Sequence, residues 1–176
     1  METFITHKEF VENPRYLQDR QEMLEALDPR VVDQPIVELI EDFALLPQCF
    51  TLQCCYGHFL YAPGQDTHNL ERLPRKNDGR VKYRIAYVAF CLENSPPGWA
   101  FRESLELVPS LDPDYVQFGS ADWFWERHPN SYVLQVEPVR HRTKDHIFIE
   151  HSEALHVEEI RDLFFVRLKE LLEKYR

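Results

Sequence analysis

CFTLQCCYGHFLY, residues 49–61, is the stretch on which the fold turns. Its Phe, Thr, Leu and Tyr content favours a strand, and its lone glycine, Gly57, marks a bulge or a close backbone approach within that strand. Under regular pairing Phe50, Leu52, Cys54, Tyr56 and His58 share one face. Further on, VKYRIAYVAFCL (81–92) first alternates and then becomes continuously apolar, the pattern of a central strand buried on both faces. Pairing these two as neighbours sets the end of the first beside the start of the second. His58 then approaches Arg80, Lys82 and Arg84.

Working outward, residues 7–27 read as one or two helical pieces, with capping-box spacing from Thr6 to Glu9 and a restart at Asn13-Pro14. After Asp28-Pro29, Pro35 opens a helix carrying Ile36, Ile40, Phe43 and Ala44 on one side, and Pro47 ends it. Residues 63–80 form a long polar loop. A helix over 99–111, strands at 115–118, 131–139 and 146–150, and a final helix capped by Ser152 follow, the last with Val157, Ile160, Phe164, Leu168, Leu171 and Tyr175 at i+3 or i+4 spacing. This order predicts one α+β domain spanning residues 1–176. It has a mixed sheet of about four to five strands, N-terminal helices, one crossover helix and a long C-terminal helix. The crossover makes the strand at 115 parallel to the one at 81. A hairpin then returns Arg140-His141-Arg142 to the end where His58 lies.

The chain has 176 residues, 44% hydrophobic and 13% aromatic, enough to bury a core without staples. Its net charge of -10 argues against a general nucleic-acid binder, because phosphate neutralisation supplies most non-specific affinity. METFITHKEF lacks the apolar run of a signal peptide, and no window approaches the roughly 20 apolar residues of a membrane span. The expectation is a cytoplasmic protein without a membrane partner, its four cysteines free.

Charge is unevenly spread. Residues 72–84 and 140–144 together hold nine bases and one acid, Asp78. The predicted topology gathers them at one end of the sheet, making His58, Arg80, Lys82, Arg84, Arg140 and Arg142 the candidate ligand-binding residues for a small anion. There His58, titrating near neutrality, is the group suited to proton exchange with a bound anion.

Other constellations have plainer readings. Cys49, Cys54, Cys55, His58 and Cys91 show no C-x-x-C pattern, and alternation separates Cys54 from Cys55, so no metal ligand set is assigned. His141, His146, His151 and His156 recur every five residues, an odd step that sends successive histidines to opposite faces of a strand. Trp123-Phe124-Trp125 and Trp99 suit either a stacking surface or core completion beside a hairpin. With the acidic surface, that aromatic hairpin supports an alternative function: a non-catalytic module that binds a protein partner.

Leu46-Pro47, Phe50-Thr51 and then Gln53-Cys54-Cys55-Tyr56-Gly57-His58 resemble the hallmark region of the tRNA wybutosine-synthesis methyltransferase family. There a Leu-Pro segment ends a helix and a strand carries Ser-Ser-Cys-Ser-Gly-Arg. Cys55 and Gly57 keep the hallmark identities, and His58 stands where the family has arginine. The element order is also similar over most of the chain. The resemblance implies a similar fold, S-adenosylmethionine as cofactor and tRNA as partner, with an activity that is divergent or absent here.

Overall fold

A computed structural model describes residues 4–142 and 145–176. In order come β1 (Phe4–Ile5), α1 (Tyr16–Ala26), α2 (Val37–Leu45), β2 (Cys49–Cys55), β3 (His58–Leu60), β4 (Arg80–Arg84), β5 (Ala86–Leu92), α3 (Pro96–Leu105), β6 (Val116–Ala121), α4 (Asp122–Trp125), β7 (Ser131–Val136), β8 (His146–Glu150) and α5 (His151–Glu173). Each of the two predicted long strands is thus two strands, broken at the same level. β2 pairs with β5 up to Cys55↔Tyr87, and β3 pairs with β4 from His58↔Arg84 onward. The break divides the strands into a five-stranded sheet, β1-β6-β7-β5-β2, and a three-stranded sheet, β3-β4-β8.

Side chains satisfy the backbone groups that the break releases from the ladder, as burial requires. The Tyr56 N–H donates to Asp33 Oδ2 at 2.8 Å, and Gly57 O accepts from Arg161 Nη1 at 3.1 Å. On the facing strand the Tyr83 hydroxyl accepts from Ala86 N and donates to Val136 O, both at 2.9 Å. Gly57 itself adopts φ +91, a region that costs side-chain-bearing residues energy.

All neighbouring strand pairs of the described residues are antiparallel. The crossover through α3 is present, and β6 runs parallel to β5, but β7 lies between them and pairs with both. The parallel relation expected of these two strands therefore holds across β7, and both sheets are antiparallel throughout the described residues.

β5 and β7 are buried on both faces. Phe90 and Leu92 join Phe43 of α2, Phe101 of α3 and Phe164 of α5 in the main core, which also takes in Phe59, Val81, Tyr83, Ile147 and Ile149 of the smaller sheet. On the opposite side of the larger sheet, Tyr16 and Met23 of α1 cover Phe50 and Cys91, while Trp123 and Phe124 cover Ala89, Ala121 and Val133. The aromatic hairpin thus completes a core over small residues. One helix is shorter than its pattern suggests: residues 6–12 are not helical, because Lys8 N and Val11 N donate to Ser120 Oγ and Asn130 Oδ1. α5 starts at His151 without the expected Ser152 cap.

Residues 62–79 have no regular structure, yet α5 anchors them. Leu73 is buried with its N–H on Glu158, and Arg72 pairs with Asp162 at 2.9 Å. Asp162 also accepts from the Tyr56 hydroxyl and from Arg161. Burial opposes ionisation of Asp162, but Arg161, Tyr56 and Arg72 outweigh it and hold the carboxyl below its ordinary range. A carboxyl depressed on folding adds stability above its unfolded pKa and loses it as pH falls through the folded one. Asp162→Asn is expected to cost about 2 kcal/mol at neutral pH, with the difference from wild type closing as urea melts are repeated below about pH 4.

Candidate functional site

Alternation along β4 puts Arg80, Lys82 and Arg84 on one face of the smaller sheet, with Val81 and Tyr83 on the other. The register extends each row. His58 and His146 flank Arg84, Leu60 and Phe148 flank Lys82, and Glu150 faces Arg80. The inner face belongs to the core, so the outer face is a basic strip edged by Phe148, which is 50% exposed.

Four of the six predicted ligand-binding residues, His58, Arg80, Lys82 and Arg84, therefore share this outer face. Arg140 and Arg142 do not lie on it; they follow β7, at the 3-10 turn Val139–His141. Arg140 pairs with Glu153 at 2.6 Å, and Arg142 Nε donates to Gln117 Oε1 at 3.2 Å.

Many bases elsewhere on the surface are paired with acids, though Arg20 bonds backbone carbonyls and Arg127 lies over the Phe124 ring. Lys8, Arg15, Arg72, Arg102, Lys169 and Arg176 each meet a carboxylate. Arg80 donates to the Phe148 carbonyl at 2.8 Å and lies 3.6 Å from Glu150. Among the described residues the side chains of Lys82 and Arg84, and those of Arg75 and Lys76 in the preceding loop, have no hydrogen-bond or ion-pair partner. Arg84 Nε is moreover buried and without an acceptor. An unmet buried donor costs on the order of 1–3 kcal/mol.

His58 is only 1% exposed, and its surroundings set it apart from the bases. Nδ1 lies 3.1 Å from the Asn69 carbonyl and Nε2 3.1 Å from Asp33 Oδ2. Burial disfavours the charged ring, but Asp33 and Cys55 together raise its pKa to about 10. With both ring nitrogens engaged, His58 presents no donor to an arriving anion. It belongs with Asp33 and with His68, whose ring centroid is 5.4 Å away. Asp33 and His68 carry no sequence signal, since they stand 25 and 10 residues from His58 with no motif between.

The four cysteines are free. Burial pushes the thiols of Cys49 and Cys91 up, and that of Cys54 to about 12, so these three are packing residues. The five-residue histidine series is dispersed. His156 pairs with Asp112, His151 is buried at the start of α5, and His146 points outward beside Asp145. Among the described residues that series yields no metal-ligand group, and no helix is long and apolar enough to cross a membrane.

No family model matches the chain, and no curated protein matches it. Two solved structures of the PH1069 protein from Pyrococcus horikoshii, one from strain OT3, are similar to it in shape. The first covers 92% of this chain and 96% of its own at 15% identity and a TM-score of 0.48. The second covers 97% of each at 14% identity and the same TM-score of 0.48.

Proposed function

We propose that this is a cytoplasmic protein that binds a phosphate-bearing ligand on the outer face of β3-β4-β8, on a fold similar to that of the tRNA wybutosine-synthesis methyltransferase family. The observation that carries the reading is Arg84, whose buried Nε lacks an acceptor at the end of a row whose neighbouring base, Lys82, is also unpaired. In a chain of net charge -10, adjacent bases left without carboxylate partners concentrate positive charge locally. They suit phosphate oxygens, which accept charge-assisted hydrogen bonds. Phe148 beside them offers a ring for a base to stack on, which favours a nucleotide or a short RNA over a bare anion.

Calorimetry with inorganic phosphate, a mononucleotide and a short single-stranded RNA tests the proposal. Binding of at least one is expected, weakened about tenfold or more by Lys82→Glu with Arg84→Glu. If RNA is the ligand, affinity also falls steeply with salt. No heat with any of the three, or full binding by the double variant, would remove the reading. S-adenosylmethionine, run alongside, probes the activity implied by the family resemblance. The protein-partner alternative has less support: of Trp99, Trp123, Phe124 and Trp125 only Trp99 is exposed, and the hairpin rings pack on the sheet.

A further inference from the structure

We propose that Asp33, His58 and His68 form a binding site for a divalent transition-metal ion of the zinc class, separate from the basic strip. One ligand atom from each residue lies within 4.8 Å of the others. His58 Nε2 and Asp33 Oδ2 are separated by 3.1 Å. Metal–ligand bonds of about 2.0–2.1 Å place neighbouring ligand atoms roughly 3.0–3.4 Å apart, so this edge already has coordination dimensions.

Two further contacts match what a metal histidine and carboxylate need. The Asn69 carbonyl, 3.1 Å from His58 Nδ1, requires the N–H there, which fixes the ring and leaves Nε2 as the atom aimed at Asp33. The Tyr56 N–H, 2.8 Å from Asp33 Oδ2, holds the carboxylate in place at the strand break. An ion bound between Nε2 and Asp33 displaces any proton held there, which leaves to solvent. His68 belongs to the exposed loop one residue before Asn69, and its ligand atom lies within 4.8 Å of those of the other two residues. Two imidazoles and one carboxylate suit zinc-class ions better than magnesium or calcium, and they leave a fourth position for water or a substrate. Bound metal would clamp the loop at 66–69 onto β3 and the turn at Asp33.

The test is titration of the full chain with zinc against a chromophoric chelator, for wild type, His68→Ala, Asp33→Asn and His156→Ala. His156 pairs with Asp112 and serves as a control for adventitious histidine binding. Wild type and His156→Ala are expected to take up one tight equivalent, and His68→Ala and Asp33→Asn to bind at least about tenfold more weakly. Because His68 is exposed, His68→Ala should melt with wild type in the absence of zinc and shift less when zinc is added. Failure of wild type to take up zinc, or wild-type affinity in His68→Ala, overturns the proposal. Neither result bears on phosphate binding by Lys82 and Arg84.

Discussion

Arg161→Met is expected to destabilise the protein by about 3–5 kcal/mol, because it removes one member of a buried charged network and leaves its partners unmet. Arg161 is 4% exposed on α5. Its Nη1 donates to the carbonyl of Gly57, and Nε and Nη2 reach Asp162 at 3.0 and 2.7 Å. The guanidinium also lies 4.1 Å from the Tyr56 ring and 5.2 Å from that of Phe59, adding a cation–π contribution on either side of the break. Methionine keeps most of the buried volume, so the measured loss reports the polar connections more than a cavity. Urea denaturation followed by circular dichroism gives the number. A loss below about 1 kcal/mol would show that α5 docks onto the strand break by apolar contact alone.

Much of this arrangement is legible in residues 49–61 and 81–92. Alternation followed by a continuous apolar run identifies β4 and β5 as one path through the molecule, and the i+3 and i+4 spacing of Val157, Ile160, Phe164 and Leu168 gives the face of α5 that packs on it. What periodicity does not report is where a long strand changes sheets. Gly57 is visible as a singular position, but the partners that make the change possible, Asp33, Arg161 and the Tyr83 hydroxyl, come from three other elements. Residues 6–12 have a helical pattern that misleads for a related reason. Their local capping signal loses to hydrogen bonds with Ser120 and Asn130, more than 100 residues away.

The candidate site divides in the same way. Arg80, Lys82 and Arg84 occupy alternate positions of one strand, so their common face follows from the period of two. Topology alone assigns Arg140 and Arg142 to the strip, but where they settle depends on Glu153, Tyr115 and Gln117, which no local pattern marks. His58 shares the face of Arg84, yet the loop residues His68 and Asn69 and the turn at Asp33 enclose it. Loop packing of that kind leaves no periodic trace. The unpaired state of Lys82 and Arg84 is likewise a property of the surface, since it depends on where the acids of the described residues lie.

Gly57→Ala is expected to cost about 3 kcal/mol, from two sources that a second substitution separates. At φ +91 a Cβ is strained whatever space surrounds it, a cost of roughly 1–2 kcal/mol. Here the added carbon would also meet Ala86 Cβ at 2.9 Å, Ala86 N at 3.2 Å and Tyr83 Cε2 at 3.2 Å. Relieving the contact moves β3 away from the start of β5 and disturbs the Tyr83 hydroxyl that bonds both Ala86 and Val136. Overpacking of this kind adds about 1–3 kcal/mol. Gly64, at φ +77 with nothing within 4 Å of where a Cβ would sit, carries the backbone cost without the contact, so Gly64→Ala should cost only about 1 kcal/mol. Urea melts of the two variants give the difference directly. Equal losses would mean that the strands tolerate separation at the break, and that Gly57 is required for its backbone angle and not for the close approach to Ala86.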